Sequence, residues 1–477
     1  MWKACLAATV LTCVGALPGH TADLAQVGPQ ASAAQITAAR GNLSEPILRI
    51  VFDVSGGSHT APATMTIDLA PDYVFVRDEK SSTIYDYKLR RIIELDEPQH
   101  RFSNGSLYAT ADFRFAETFN RRYERRLLSA AKVEQAADMF DPFWVQSELH
   151  VMDPADPVPV VDRRSATDGI HFSYKSNEIA AFSFSEEKIG ASEKTAFGHV
   201  LQERTILHPS IIAALLADDR LPERLSFAMP PIRKKDAELW VLRSAGRMTA
   251  TYPLTGDYVA EQTKAGIGST ALAGLVPFML DAVAGRAGSG PRPVAQYHAL
   301  IDEALRKKAG LQAVLLAFEV NEQYGEPSLA CVGQTPACHS MKDVVTQSQA
   351  DPRVNDLIHS FEIERATPND AIKLRQNLRR DDVINGYVID GFIGNALGST
   401  GHADQALPLL IGEVRGDPYV AGYYKDLGDL FRRSFKPAEA WLCYDLGRVL
   451  PGGPSAPVIN TINGYEAQLA AKLPQFF

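Results

Sequence analysis

The chain has 477 residues and a mass of 52.1 kDa, with 45% hydrophobic and 22% charged residues. That is too long for one ordinary core and too apolar for a disordered chain, but not apolar enough for a polytopic membrane protein. A net charge of −9 with pI near 5.7 argues against a phosphate-binding surface, and so against nucleic acid as partner; five cysteines are too few for a disulfide framework.

Met1-Trp2-Lys3, the apolar run Ala4 to Leu17 and the small-residue boundary up to Ala22 have the three parts of a secretory signal peptide, placed over residues 1–22. Cleavage after Ala16 or Ala22 fits, and the run is too short to span a bilayer, so no transmembrane span is expected after cleavage. Cys13 offers a lipoprotein alternative, which the bulky Thr12 beside it disfavours. Arg exceeds Lys by 31 to 17 and Ala is abundant, a bacterial bias that makes the periplasm the expected compartment.

Residues 23–42 carry little pattern and read as a flexible leader. From 43 to 260 the period is that of strands. Pro46 to Val54, Thr64 to Leu69, Tyr73 to Arg77, Thr83 to Tyr87, Arg91 to Leu95 and Ser106 to Phe115 form an antiparallel meander, with Asn104-Gly105 as its strongest hairpin signal. A helix over Glu117 to Met139 follows, then a strand at Phe143 to Val151, a hairpin at Ile170 to Tyr174 and Glu178 to Phe184, a helix at Ser210 to Ala217, and a strand pair at Glu238 to Arg243 and Arg247 to Tyr252. Residues 261–295 read as a Gly/Ala/Pro-rich connector, in which Gly268, Gly274 and Pro277 make a poor helix. Helical spacing, including Gly310 to Tyr324, then holds over 296–477. The expected class is α+β multidomain: a curved antiparallel sheet with inserted helices, followed by an all-α repeat domain.

Tyr424, Leu427, Gly428, Phe431, Ala440, Tyr444 and Pro451 stand at the offsets of one helical-hairpin repeat. A shift of 34 residues brings Ile393, Gly394, Leu397 and Ala406 into the same positions, with Pro418 one residue off register. This pattern resembles the tetratricopeptide repeat, over about 387–418 and 421–452. The resemblance implies close helix contacts at Gly428 and Ala440, an exposed Lys425, and a groove that binds a protein partner.

No His-Glu-x-x-His, Gly-x-Ser-x-Gly or Walker A motif occurs, so no catalytic residue, metal or cofactor is assigned. Gly266-Ile267-Gly268-Ser269-Thr270-Ala271 imitates a dinucleotide fingerprint without the βαβ context. His199 and His208 bracket Glu203 and Arg204, and Glu94, Asp96 and Glu97 cluster at a strand end; surface or core roles are the simpler readings of both. The run Arg121 to Arg126, interleaved with Glu124, reads as a charged helix face, with an anionic partner or membrane surface as the alternative. The order of elements in the β-rich part loosely resembles the periplasmic lipoprotein-carrier fold. The expectation is therefore a non-enzymatic exported protein that binds a protein partner, with carriage of a lipid or other apolar ligand as the alternative and an envelope hydrolase as a weaker third.

Cys331 and Cys338, separated by Gly333 and Pro336, are expected to form a disulfide in an oxidising compartment, leaving Cys443 as a buried thiol. N-terminal sequencing of the native protein should then begin near Leu17 or Asp23. Thiol labelling of the denatured, unreduced protein should find one reactive cysteine; three would dismiss the bridge.

Overall fold

The computed structural model describes residues 27–57, 59–79, 81–131, 140–152, 156, 159–228, 237–261, 268–325, 340–379, 383–453 and 456–477. It is of mixed α+β class, an antiparallel sheet followed by a run of helices. The chain divides into two compact units. One comprises residues 31–265 with 466–477, the other residues 266–465 with 27–30.

The first unit opens with α1 (Ala33–Arg40), where a helix replaces part of the expected flexible leader. Ser32 and Gln35 form a reciprocal capping box at its start. Six strands follow: β1 (Ser44–Gly56), β2 (Ala63–Leu69), β3 (Tyr73–Arg77), β4 (Ser82–Asp86), β5 (Arg91–Asp96) and β6 (Arg101–Ser106). Then come α2 (Leu107–Ala130), α3 (Pro142–Leu149), β7 (Asp162–Ala166), β8 (Gly169–Tyr174), β9 (Asn177–Lys188), α4 (Ala191–Arg204), α5 (Pro209–Leu216), β10 (Arg220–Phe227), β11 (Glu238–Thr251) and β12 (Val259–Ala260). The sheet order is β12-β6-β5-β4-β3-β2-β1-β11-β10-β9-β8-β7, antiparallel throughout except for β12 on β6.

Alternation along β1 buries Ile50, Phe52 and Val54, which join Ile67, Val74 and Val76 in one core. Phe143 of α3, Phe197 and Leu201 of α4 and Ile211 and Leu215 of α5 belong to the same core. The inserted helices therefore cover the apolar face that the period-2 pattern creates.

Several expectations are corrected here. Asn104 and Gly105 are not a turn; they lie inside β6, opposite Ile93 and Ile92. Arg91 donates to the Asn104 side chain at 2.7 Å and to its carbonyl at 3.0 Å, so the amide is consumed by a buried cation. The reversal falls instead at Glu97–Gln99, and Leu107 to Phe115 is helical, not extended. Phe143 to Leu149 is also helical: Asp141 caps it by accepting from the Phe143 amide at 2.9 Å, which overrides strand-like composition. The expected strand pair at 238–252 is one long strand bulged against β1 between Val51 and Phe52.

Arg40 is the polar centre of this unit. Its guanidinium, fully buried, donates to Asp86 at 2.7 Å, to Glu45 at 3.1 Å and to Asp72. It lies 4.8 Å from the Tyr73 ring and 4.6 Å from that of Tyr252, whose hydroxyl also donates to Asp86.

The second unit begins with α6 (Thr270–Val283), continuous despite Pro277 and so a correction to the expected poor helix. Val276 and Met279 are buried, and this packing outweighs propensity. Next are α7 (Val294–Arg306), α8 (Gly310–Tyr324), α9 (Met341–Ser348), α10 (Pro352–Ile363) and α11 (Pro368–Arg379). Two helical hairpins follow, α12 (Tyr387–Ser399) with α13 (Ala403–Gly416) and α14 (Ala421–Arg433) with α15 (Pro437–Arg448), and then α16 (Ala456–Lys472). The unit boundary falls within α16.

Replacing Arg40 by Ala should strand the Asp86 carboxylate in the core and cost about 3–5 kcal/mol in urea denaturation. A loss below about 1 kcal/mol would mean that the strand ends do not depend on this network.

Candidate functional site

A concentration of perturbed polar groups lies where α2, α3, α4 and α5 meet. Asp141 at the start of α3 accepts from the Tyr174 hydroxyl at 2.9 Å and from Lys175 at 2.7 Å, which anchors the helix on the β8–β9 turn. Phe143 then stacks on Tyr174 and on His208, with ring centroids 4.3 and 5.0 Å away. His208 caps α5. Its Nδ1 accepts from the Ser210 amide at 3.2 Å, so Nε2 carries the proton toward Gln146 Oε1 at 3.0 Å. That arrangement suits the neutral ring, and burial holds its pKa down at about 4.

His150 follows α3 in the left-handed conformation, φ 55°. Burial first, and then the Arg114 and His208 charges, lower its pKa to about 3. Its Nε2 is buried with no well-aligned partner, although the Leu207 backbone lies close enough to favour the proton. His199 packs its ring 4.1 Å from that of Tyr87, and burial lowers it to about 4. Arg114 reaches in from α2 to Glu203 at 2.9 Å and to the Gln202 carbonyl. His199, Glu203 and His208 are thus gathered in one region, as parts of a packed polar cluster rather than an acid–base pair.

Beside this cluster lies a cavity of about 430 Å³. Its walls are mainly apolar, from Val151, Met152, Ile212, Ala213, Leu216 and Leu473. Polar groups come from His150, Gln202, Lys472 and Gln475; the Gln202 Oε1 atom is buried without a partner. The segment Leu473–Phe476 is held there by Phe476, which packs with Val145, Leu149 and Val151 and lies beneath the Arg114 guanidinium at 4.6 Å. A site so built offers apolar surface with a few fixed hydrogen-bonding atoms. Nearby, the Ser210 hydroxyl lies 2.8 Å from His208 Nδ1, a nitrogen that also accepts the Ser210 amide in a local cap.

The remaining sequence candidates fall elsewhere. Glu94 accepts from Ser103, Asp96 from the Gln99 amide and Arg101, and Glu97 from Arg77 and Ser82, so these carboxylates form separate surface contacts. Ser269 caps α6 and the Gly268 amide donates to Glu439 at 3.0 Å, so the run from Gly268 to Ala271 is a helix start; Gly266 and Ile267 lie outside the described residues. Cys331 and Cys338 lie outside the described residues; Cys443 is a buried thiol. Among the described residues no group of three or more His, Cys, Asp or Glu is placed to hold a metal, and no helix is long and apolar enough to cross a membrane.

In the helical unit, Ile393, Leu397, Ala406, Leu427, Phe431, Ala440 and Tyr444 are buried in the two hairpins. A Cβ on Gly394 would fall 2.9 Å from Leu410, and one on Gly428 would fall 2.4 Å from Tyr444. Lys425 is not the free surface residue expected; it pairs with Asp426 at 2.8 Å and Asp429 at 3.0 Å. The first helices of the two hairpins, α12 and α14, both pack on α8. Through this contact Glu319 is fully buried, accepting from Tyr387 and, at 3.1 Å, from Asn385. Burial raises Glu319 and Glu322 to about 7 and pushes Glu413 well above the ordinary carboxylate range.

Nothing in the sequence flagged His150, because its burial arises from α3, which composition disguised as a strand. Compared with known protein families, curated proteins and solved structures, the chain shows no match.

The two units should respond to pH in opposite directions. The lowered histidines stabilise the first unit fully above their ordinary 6.5, and that contribution is lost as pH falls from about 6.5 toward about 4. The raised Glu319 and Glu322 stabilise the second unit fully below about 4.5, and that contribution is lost as pH rises through about 7. Hydrogen exchange, corrected for intrinsic rate, should show the β1 and β11 amides gaining protection between pH 5 and 8 while α8 loses it. Parallel trends in both units would refute the assignment.

Proposed function

We propose that this is an exported, non-enzymatic protein whose β-rich unit carries a small apolar or amphiphilic ligand. The observation that carries the reading is the cavity walled by α5, the end of α3 and the Leu473 segment, with the buried Gln202 Oε1 atom left without a partner beside it. The antiparallel sheet covered by inserted helices supports it, through its loose likeness to the lipoprotein-carrier fold. A ligand with an apolar body would gain from Ile212, Leu216 and Leu473, while an acceptor or acidic group would meet Lys472 and a donor would meet Gln202.

A second reading, a protein partner bound by the helical unit as in tetratricopeptide-repeat proteins, rests on the tandem hairpins. Since α8 already packs on α12 and α14, a partner would have to use another face or replace α8.

Titration with a fluorescent long-chain fatty acid should saturate near one site per chain. Ala213→Trp, which fills the cavity from an exposed helix position, should weaken binding at least about tenfold with an unchanged melt. Absence of saturable binding, or binding unaffected by Ala213→Trp, would overturn the cavity as the site.

A further inference from the structure

The helix α2 buries Leu107, Tyr108 and Ala111 in its first turns, but further along several arginines face the β-rich unit, where Arg114 pairs with Glu203, Arg121 with Glu117 and Glu148, and Arg125 with Asp156. Thr118 on the same side is buried. Four large apolar residues turn to solvent: Phe113 is 48% exposed, Phe119 44%, Tyr123 60% and Leu127 51%. At 3.6 residues per turn these four fall within about 120° of arc, a continuous stripe and not scattered exceptions.

Folding gains nothing from leaving these side chains half in water, since covering the rest of their apolar surface would be favourable. Exposed apolar stripes of this kind mark interaction surfaces. Arg122 and Arg126 border the stripe on one edge, the former with its guanidinium 4.8 Å from the Phe119 ring. Arg121 and Arg125 are taken up by Glu117, Glu148 and Asp156, so the charges that border the stripe are Arg122 and Arg126 on one edge and Glu124 on the other. Three aromatics and a leucine with arginines along one edge, on the exposed face of one helix, match the water–lipid boundary, where the rings enter and the guanidinium groups stay with the headgroups. The stripe also leads to the cavity: Phe119 packs edge-on against Phe115 at 4.9 Å, and Phe115 lies under Lys472, a cavity-lining residue, at 4.5 Å.

We propose that the Phe113–Leu127 face of α2 is a docking surface for a bilayer with anionic headgroups. Docking there stands whether or not the cavity is the ligand site, because vesicle binding and cavity occupancy are read separately.

The test is co-sedimentation of the native protein with vesicles of phosphatidylcholine alone and of an equal mixture with phosphatidylglycerol. The mixed vesicles should be bound at least about tenfold more tightly, a preference that Arg122→Gln with Arg126→Gln removes. Phe119→Ser, Tyr123→Ser and Leu127→Ser together should abolish sedimentation. Tyr123→Trp, which keeps the stripe intact, should shift its emission to the blue on adding mixed vesicles. No preference for the mixed vesicles, an unmoved Trp emission, or sedimentation by the triple-serine protein would each overturn the proposal. So would a dimer in sedimentation equilibrium that the triple-serine protein loses while vesicles leave the native protein in solution.

Discussion

The β-rich unit depends on one buried cation. Arg40 ends a helix of only eight residues, too short to persist by its own hydrogen bonds. What holds it is a guanidinium surrounded by Glu45 of β1, Asp72 before β3 and Asp86 at the end of β4, and flanked by Tyr73 and Tyr252. Taking these charges out of water costs free energy that their mutual attraction offsets only when the geometry is good and further hydrogen bonds support the charges. Asp86 meets that demand, accepting also from the Leu89 amide and the Tyr252 hydroxyl. The consequence is positional. The observed register brings three carboxylates and two rings from β1, the β2–β3 turn, β3, the end of β4 and the residue after β11 around a single guanidinium, so the network ties together strands that the alternating apolar pattern leaves free to slip.

Once the sheet is set, its apolar face has to be covered, and α3, α4 and α5 cover it. This covering creates the candidate site. Helices that meet end to side leave their terminal polar groups near one another. Here the end of α3 brings His150 beside Arg114, and the start of α5 brings His208 onto Gln146. Burial keeps the imidazoles neutral, so they act as shaped polar surface and not as charge. The cavity next to them is the space that α5 and the Leu473 segment do not fill.

In the helical unit the constraint is close approach. Gly394 and Gly428 admit neighbouring side chains where a Cβ would collide, and Gly391 and Gly422 leave room for the carboxylates of Glu413 and Glu322. Four acidic side chains, Glu319, Glu322, Glu413 and Asp417, are thereby drawn into or near the region packed by α8, with Arg292 and Lys425 as the cations acting on them. The result is a face occupied by the chain's own helix and sensitive to protons. The spacing of small residues in α12 to α15 says nothing of this, because α8 lies more than sixty residues earlier in the chain.

What the sequence determined by itself was periodic. The alternation in β1, β2, β3, β4 and β5, the hairpin of β8 and β9, the bounds of α8 and the division into a sheet-rich and a helical part all follow from side chains that repeat on one face. Tertiary structure decided whatever rested on a single residue in competition with a distant partner. Asn104-Gly105 became strand interior because Arg91 takes up the asparagine, and Phe143 to Leu149 became a helix because Asp141 caps it and Tyr174 and His208 stack on Phe143. The orientation of α2 belongs to the same class. Its composition specifies an amphipathic helix, but ion pairs to Glu148, Asp156 and Glu203 turn the charged side inward. Periodicity defines faces; which face meets the core is set by partners that sequence distance conceals.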